Sequence, residues 1–384
     1  MSAVGVVGAG AMGGGIAQVA AVAGEQVQVC DTQPGAAAAG VERVADRLQR
    51  EVDRGRMAAD TATAASARVH AVDGVADLAG SDLVIEAVVE SLEVKRGLFE
   101  ELERACRDDA VLATNTSTLS VTDIADGLEH PERVCGMHFF NPAPLMRLVE
   151  VPVGALTSDE VADQVGGWAE RWGKTAVRCA STPGFIVNRV ARPYYGEAQR
   201  ILEEGVADCA HIDAAMTAAG FRMGPFALAD LIGNDVNLAS ATSVWEQTDE
   251  DPRYEPTQAQ RYLVARGDLG RKTGRGWYDY AAGAPEQVEV DADLARTVCE
   301  RINAMLVNEA AALADRGEAT PDDIDTAMRL GTNYPFGPLA YGDVWGAPRV
   351  LDVLTALHDR HPTGRYRPAE RLVRAAATGA RLHA

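Results

Sequence analysis

Lysine is nearly missing from this chain of 384 residues: 36 residues are basic, but only Lys95, Lys174 and Lys272 are lysines. Acidic residues number 56, which makes the formal net charge −20. So large an excess of negative charge repels phosphate backbones and anionic lipids, which argues against a partner that is a nucleic acid or a membrane surface. Unless chance preserved them, the three lysines mark positions that require a compact ammonium group.

Paired cysteines, long apolar runs and a basic leader are also missing. The six cysteines form no C-x-x-C pair, which is typical of buried thiols in a reducing compartment and not of disulfides or a zinc site. No segment offers the ~18 apolar residues of a membrane span. Residues 1–24 are uncharged, but their lack of a basic start and their seven glycines distinguish them from a secretory signal. We therefore expect a soluble, cytoplasmic protein without a metal site.

The first 31 residues contain the pattern of a dinucleotide-binding unit. The apolar run Ala3–Val7 precedes G-A-G-A-M-G at residues 8–13, and an uncharged helix-like segment leads to a second run, Gln26–Cys30. In such a turn, glycines permit the tight bend, the approach of the pyrophosphate and close helix packing, while helix N-terminal amide groups bind phosphate. The residues predicted to bind a dinucleotide here are Gly8, Gly10, Ala11, Met12 and Gly13.

Asp31 predicts that the dinucleotide is NAD rather than NADP. Its carboxylate lies 18 residues after Gly13 and can accept both hydroxyl groups of the adenosine ribose. The same charge repels a 2′-phosphate, and the next three residues, Thr32-Gln33-Pro34, supply no arginine to offset it. A solvated carboxylate at a strand end is the alternative, and the glycine pattern disfavours it.

Residues 36–54 are predicted to form a long helix with a basic stripe. At 3.6 residues per turn, one narrow face carries Arg43, Arg47, Arg50 and Arg54. The default interpretation is a solvent-exposed face with ion pairs to the neighbouring acidic stripe. The functional alternative is a cationic edge that binds a phosphorylated substrate.

The length exceeds one ordinary hydrophobic core and predicts two or three domains. Predicted strands at residues 83–88, 111–114, 134–138 and 148–153, the earlier of them separated by helical stretches, indicate a mostly parallel sheet covered on both faces. That is a doubly wound, Rossmann-type α/β domain, followed by helical sequence. The predicted domains are an NAD-binding domain at 1–183, a helical domain at 184–281 and a second helical copy at 290–384, with a linker at 281–285.

The two helical stretches are copies of each other. Ile212-Asp213 aligns with Ile324-Asp325 at an offset of 112 residues. At the same offset Asn188 aligns with Glu300, so the copies differ where chemistry is expected. The repeat predicts two all-α domains of common origin that pack against each other within one chain.

Polar residues at strand ends are the candidates for chemistry. Ser117 lies in T-N-T-S, His138 in H-F-F-N-P and Glu150 in L-V-E-V. Ligands bind beyond the carboxyl ends of parallel strands, where histidine can exchange a proton near neutral pH and a carboxylate can fix its tautomer. The structural alternatives are a core histidine, a strand-edge charge and a capping hydroxyl group.

Together these motifs resemble the 3-hydroxyacyl-CoA dehydrogenase family, particularly the bacterial 3-hydroxybutyryl-CoA dehydrogenases. The resemblance runs to about Tyr280 and includes V-I-E-A-V-V-E, T-N-T-S, G-M-H-F-F-N-P-A-P, P-G-F-I-V-N-R and G-R-K-T-G-R-G-W-Y. The second helical copy resembles the duplicated C-terminal domain of longer members. The resemblance implies that both helical domains have the fold of the 6-phosphogluconate dehydrogenase C-terminal domain.

The resemblance implies NAD-dependent, reversible oxidation of a (3S)-3-hydroxyacyl-CoA. It implies that His138 is the general base and that Glu150 is its orienting partner. It also implies that Ser117 and Asn188 form hydrogen bonds with the reacting oxygen and with the histidine. The further residues that it implies are Glu90, Lys95, Asn141 and Lys272 beside the nicotinamide and ribose, and Arg50 and Arg54 at the coenzyme A phosphates. We expect a monomer or a homodimer. Two alternatives stay open. One is an NAD enzyme of the same fold that acts on a sugar acid or on a carrier-protein-bound acyl group, and the other is a non-catalytic, crystallin-like relative.

Overall fold

The apolar run at the start of the chain forms the centre of a parallel sheet. The computed structural model describes residues 2–283 and 288–384, and it consists of two units, Met1–Phe185 (unit 1) and Ile186–Ala384 (unit 2). The strands and helices of unit 1 are, in chain order, β1 (Ala3–Val7), α1 (Ala11–Val22), β2 (Gln26–Cys30), α2 (Ala36–Asp53), α3 (Ala59–Ser66), β3 (Val69–Ala71), β4 (Leu83–Glu86), α4 (Leu92–Ala105), β5 (Val111–Thr114), α5 (Val121–Ala125), β6 (Val134–Gly136), β7 (His138–Phe139), β8 (Leu148–Val153), α6 (Asp159–Arg171) and β9 (Thr175–Ala180).

Six of these strands form a parallel sheet in the order β3-β2-β1-β4-β5-β6. Successive residues of β1 enter cores on opposite faces, because Val6 packs with α1 and α2 while Val7 packs with α4. Burial on both faces explains why β1, β4 and β5 are apolar runs without polar alternation. The order and the two covered faces are those of the doubly wound α/β domain predicted from the sequence.

A second sheet diverts the chain at the predicted strand 134–138. That segment splits into β6 and β7, and β7 joins β8 and β9 in a three-stranded sheet. β6 passes β8 so closely that a Cβ atom on Gly136 would lie 2.5 Å from the Pro152 ring, which explains the glycine at the split. β7 is antiparallel to β8, and this pairing sets the register of the residues that follow.

The described residues of unit 2 are mainly helical, with two isolated β-bridges that link Gly270 to Arg275 and Arg275 to Asp279. Its helices are α7 (Val187–Val190), α8 (Arg192–Glu203), α9 (Cys209–Ala218), α10 (Pro225–Ile232), α11 (Asn234–Gln247), α12 (Gln258–Ala265), α13 (Ala292–Asp315), α14 (Pro321–Gly331), α15 (Pro338–Trp345), α16 (Ala347–Arg360) and α17 (Glu370–Thr378). The linker predicted at 281–285 lies partly outside the described residues. In the portion of the chain that the structure describes, no helix is both long enough and apolar enough to cross a membrane.

The repeat is visible in matching contacts of unit 2. The carboxylate of Asp213 accepts hydrogen bonds from the first amide groups of α10, those of Phe226 and Ala227, at 2.9 and 2.8 Å. Asp325 does the same for α15 at 2.8 Å. α13 of the second copy packs against α8 and α9 of the first, so the copies associate within one chain as the repeat predicts.

Candidate active site

His138 and Glu150 form a buried pair across two strands. The antiparallel register of β7 and β8 places these residues directly opposite each other, and His138 Nδ1 lies 2.7 Å from Glu150 Oε2. The side chain of Glu150 is fully buried and that of His138 is 7% exposed. A carboxylate can only accept, so Nδ1 carries the hydrogen and Nε2 is left to exchange a proton. The pair can perform general acid–base chemistry.

Aromatic rings surround the imidazole. The ring of Phe140 lies 4.6 Å and that of Phe185 lies 5.7 Å from the His138 ring, measured between centroids. These apolar walls limit the access of water and strengthen the electrostatic interaction of the imidazole with Glu150.

Glu90 organises the T-N-T-S loop. Its Oε1 atom accepts hydrogen bonds from Thr116 Oγ1 at 2.6 Å and from the amide groups of Ser117 and Thr118 at 2.8 and 3.1 Å. Ser117 Oγ also donates to Glu90, at 3.2 Å. Burial alone would raise the pKa of Glu90, but Lys95 and these hydrogen bonds outweigh it and hold the pKa below its usual value. Glu90 is therefore a fixed anion, and it positions Ser117.

Lys95 lies between two carboxylates. Its Nζ atom is 2.6 Å from Glu86 Oε1 and 3.3 Å from Glu90 Oε2, and its side chain is 1% exposed. Thr114 Oγ1 donates to the second oxygen of Glu86 at 2.7 Å. Glu86 was not predicted as a site residue, although the motif V-I-E-A-V-V-E contains it at the end of a buried strand. Lys95 thus acts by holding Glu90, with Glu86 as its counter-ion.

The glycine turn after β1 has the space that a dinucleotide needs. Gly8 has a φ of +103°, and a Cβ atom there would lie 2.5 Å from the carbonyl oxygen of Ala87. A Cβ atom on Gly13 would lie 1.8 Å from the carbonyl oxygen of Gly8. Around Gly10, by contrast, no heavy atom of the described residues lies within 4 Å of such a Cβ position. The first and third glycines serve the fold, and the second leaves room for a ligand.

The groups around this turn fit NAD. The first-turn amide groups of α1, those of Ala11, Met12 and Gly13, have no intrahelical acceptor, and no acidic residue lies in that turn. Asp31 is fixed beside the turn, because its carboxylate accepts hydrogen bonds from the amide groups of Ala9 at 2.8 Å and Gln33 at 2.9 Å. The amide groups suit a pyrophosphate and the carboxylate suits a ribose.

Two other members of the basic stripe of α2, Arg43 and Arg47, reach this glycine turn. Arg43 Nη2 donates to the carbonyl oxygen of Ala9 at 2.9 Å, and Arg47 lies against Gly14 of α1. Burial, and then the charges of Arg43 and Arg50, lower the pKa of Arg47, and its buried Nε has no hydrogen-bond partner in the described chain. Arg54 is exposed and pairs with Glu51 at 3.5 Å. Arg43 and Arg47 were visible in the stripe, but the resemblance pointed only to its last two members.

Lys174 holds the loop that follows β7, the strand that contains His138. Its Nζ atom donates to the carbonyl oxygens of Ala143 at 2.6 Å and Met146 at 2.8 Å. Burial lowers the pKa of Lys174 to about 8. Two of its three N–H donors are used, so a deprotonated amine can keep both hydrogen bonds.

The lowered pKa of Lys174 predicts how the free energy of unfolding depends on pH. Because the pKa of Lys174 is about 8 in the folded protein and 10.5 ordinarily, the unfolded chain binds more protons between these pH values. The free energy of unfolding, relative to that of Lys174→Met, should therefore rise by on the order of 1 kcal/mol as the pH increases through this window, after allowance for solvent screening. Urea denaturation of both proteins from about pH 7 to pH 10 measures the difference. A difference that is constant or falls with pH would contradict it.

The other four predicted site residues are divided between the two units, with Asn141 and Arg50 in unit 1 and Asn188 and Lys272 in unit 2. Asn141 is exposed in the loop after β7. Asn188 lies in α7 of unit 2, where its backbone carbonyl accepts a hydrogen bond from Arg192 Nε at 2.8 Å. Lys272, also in unit 2, pairs with Asp235 at 2.6 Å. Arg50 is exposed near the end of α2.

Family sequence models match nearly the whole chain. The model of the 3-hydroxyacyl-CoA dehydrogenase NAD-binding domain matches residues 3–182. The model of the C-terminal domain of the same enzymes matches twice, at residues 184–280 and 298–382. One model thus matches both helical stretches that the internal repeat relates.

Curated relatives and solved structures agree with these matches. The chain is 40% identical to 3-hydroxyadipyl-CoA dehydrogenase of Escherichia coli, with 96% of each chain covered. It is 43% identical to a probable 3-hydroxybutyryl-CoA dehydrogenase of Bacillus subtilis, over 72% of this chain and 96% of that one. A crystal structure of 3-hydroxybutyryl-CoA dehydrogenase from Escherichia coli superposes with a TM-score of 0.94, 38% identity and 98% coverage of both chains.

Proposed function

The chain belongs to the 3-hydroxyacyl-CoA dehydrogenase family, and we propose that it oxidises a (3S)-3-hydroxyacyl-CoA to the 3-oxoacyl-CoA with NAD, reversibly. The observation that carries the proposal is the buried pair of His138 and Glu150, in the same unit as a glycine turn that fits NAD. A base whose second nitrogen is fixed by a carboxylate is what removal of a hydroxyl proton requires.

The protein's part in the reaction is proton transfer and positioning. Nε2 of His138 takes the proton of the 3-hydroxyl group, and Glu150 stabilises the imidazolium through Nδ1–H. NAD, when bound, supplies the hydride acceptor for C3. In the reverse direction the imidazolium returns its proton to the oxygen. We assign Ser117 and Asn188 to hydrogen bonds with that oxygen, where charge develops.

The other assignments follow from chemistry and family membership. First-turn amide groups of α1 hold the pyrophosphate, and Asp31 holds the adenosine ribose. Glu90, positioned by Lys95, lies on the nicotinamide side together with Asn141 and Lys272. The basic stripe of α2, which includes Arg50 and Arg54, binds phosphates of the cofactor and of coenzyme A.

Cofactor preference tests the assignment of Asp31. The value of kcat/KM should be on the order of 100-fold higher with NAD than with NADP, because the 2′-phosphate meets an unpaired like charge. Asp31→Asn removes the charge but keeps an acceptor for the amide group of Ala9. It should lower the ratio of kcat/KM with NAD to kcat/KM with NADP about tenfold. Asp46→Asn, on exposed α2 surface, is the control. Equal kcat/KM with both cofactors in the unaltered protein would show that Asp31 does not select NAD over NADP.

The substrate itself is tested by a steady-state survey. The names of the relatives differ in acyl group, since one is a 3-hydroxyadipyl-CoA and another a 3-hydroxybutyryl-CoA dehydrogenase. We propose an acyl-CoA of this class, in the cytoplasm, with one active site per chain. NADH formation across 3-hydroxyacyl-CoA substrates of varied length supports the proposal, and competition by free coenzyme A argues against a carrier-protein substrate. No absorbance change with any acyl-CoA would favour a non-catalytic protein.

A further inference from the structure

Arg192 is a buried arginine without an acidic partner. At 9% exposure, its Nε donates to the carbonyl oxygen of Asn188 at 2.8 Å and its Nη1 to that of Asn237 at 3.3 Å. Among the residues that the structure describes, no carboxylate forms an ion pair with it. Other buried arginines of unit 2 do have one: Arg189 pairs with Glu309 at 3.1 Å and Arg301 with Glu197 at 2.8 Å. Burial of an uncompensated charge is costly, and burial lowers the pKa of the Arg192 guanidinium.

The second helical copy shows that the fold does not need this charge. At the offset of 112 residues, Arg192 corresponds to Ala304. Asn237 corresponds to Val350, because the glycines that join α10 to α11 and α15 to α16 are 113 residues apart, at Gly233 and Gly346. Ala304 and Val350 are both fully buried. The corresponding positions are therefore filled by apolar side chains in the copy that has no nucleotide domain of its own. The fold that the two copies share does not require the guanidinium.

Two tyrosines lie beside the guanidinium, and their hydroxyl groups can donate hydrogen bonds to a ligand. The Arg192 guanidinium carbon lies 5.3 Å from the centre of the Tyr195 ring, and Tyr334 of the second copy is the other neighbour. Tyr195 is 8% and Tyr334 is 7% exposed, and neither hydroxyl group forms a hydrogen bond with an atom of the described residues. Burial raises the pKa of both tyrosines, so both remain hydrogen-bond donors. One cation and two hydroxyl donors, with no anion among them, are the complement of a carboxylate.

We propose that Arg192, assisted by Tyr195 and Tyr334, binds the terminal carboxylate of a dicarboxylic acyl chain and selects such substrates. The inference rests on the proposed function, since it takes Asn188 to lie at the reacting oxygen. The Arg192 side chain lies directly beside Asn188, because its Nε is 2.8 Å from the Asn188 carbonyl oxygen. In a six-carbon dicarboxylic chain, three carbon–carbon bonds separate C3 from the terminal carboxyl carbon, a span of ~4 Å. A charge-assisted hydrogen bond of ~2.8 Å completes the distance to the guanidinium.

The test compares two acyl chains of the same length. 3-Hydroxyadipyl-CoA carries a carboxylate where 3-hydroxyhexanoyl-CoA carries a methyl group. The protein should prefer the former in kcat/KM by at least tenfold, mainly through KM. Arg192→Gln should lower this ratio by roughly 10- to 100-fold, the worth of a hydrogen bond to a charged group. Arg200→Gln is the matched control, because Arg200 also lies in α8 and bonds the carbonyl oxygen four residues before it, that of Gly196, at 3.0 Å.

The outcomes separate the claims. An equal loss with both substrates in Arg192→Gln would show that Arg192 only supports Asn188 and would overturn the inference. Equal kcat/KM of the unaltered protein for both substrates would also overturn the inference, although the proposed function would stand. If Arg192→Gln does not fold, Tyr334→Phe decides, because it removes one hydroxyl group and should lower the ratio several-fold; an unchanged ratio would contradict the proposal. NADH formation with neither substrate would instead refute the proposed function.

Discussion

Replacement of His138 with glutamine is expected to lower kcat by roughly 100- to 10,000-fold, the range of a lost general base. Glutamine is of similar size but cannot take up the hydroxyl proton. Glu150→Gln should also lose most of kcat, because the imidazolium then loses its buried counter-charge. Since Glu150 acts through His138, the double variant should lose little more than His138→Gln alone. Steady-state rates of NADH formation measure all three.

The chain contains a matched control for this pair. His130 Nδ1 lies 3.2 Å from Glu132 Oε1, but both side chains are about half exposed. His130→Gln and Glu132→Gln remove the same groups at the surface and should leave kcat within about twofold, because exposed ion pairs contribute little. Fully additive losses at His138 and Glu150 would show that the two residues act independently, against the assigned roles.

Removal of the second helical copy should abolish the native oligomeric state. We expect a chain truncated after Ala284 to aggregate or to form a dimer through the uncovered face of the first copy. The buried α13, which packs on α8 and α9, would be lost together with its apolar side chains. Light scattering of the truncated and complete proteins, together with their specific activity, tests this.

Two equivalent polar clusters explain why the loss should be severe. Arg189 and Tyr254 of the first copy both donate hydrogen bonds to Glu309 of the second. Arg189 Nε also donates to the Tyr254 hydroxyl group, at 2.9 Å. The cluster of Arg301, Glu197 and Tyr366 repeats this arrangement with the copies exchanged, at 2.8 to 2.9 Å, and each residue is 112 positions from its counterpart. Breaking one buried ion pair costs about 3–5 kcal/mol, and truncation breaks both. A truncated protein that remains soluble, with unchanged size and activity, would refute the structural role of the second copy.

The exchanged clusters also indicate how the truncated chain would dimerise. A two-fold interface places the same surface of each partner in contact. Arg189 of one truncated chain would then meet Glu197 of the other, as Arg189 meets Glu309 within the complete chain. Because the second copy already covers this face, we propose that the complete protein is a monomer or a homodimer built on another surface.

Local patterns made much of unit 1 predictable. β1 and β2 have the bounds of their apolar runs, and α2 spans Ala36–Asp53, close to the predicted 36–54. Each of these signals lies within a few consecutive residues. The pairing of His138 with Glu150 was expected from their proximity at strand ends and their chemistry, but the antiparallel register that creates it was not predicted, since it depends on the split between β6 and β7.

Contacts between distant residues were beyond the sequence. Glu86 gives no sign that it is the partner of Lys95, because a glutamate in an apolar strand reveals burial but not its counter-ion. The cluster that joins Arg189 to Glu309 spans 120 residues, and the repeat revealed only that such positions correspond. The isolation of Arg192 is visible only when the surroundings of all buried charges are known.

The proposed dehydrogenase activity is tested most directly by NADH formation from NAD and a (3S)-3-hydroxyacyl-CoA, measured side by side for the unaltered protein and His138→Gln. We expect rapid, reversible reduction of NAD by the unaltered protein and at least a hundredfold slower reduction by the variant. Equal rates in the two proteins, or no NADH with any acyl-CoA, would contradict it.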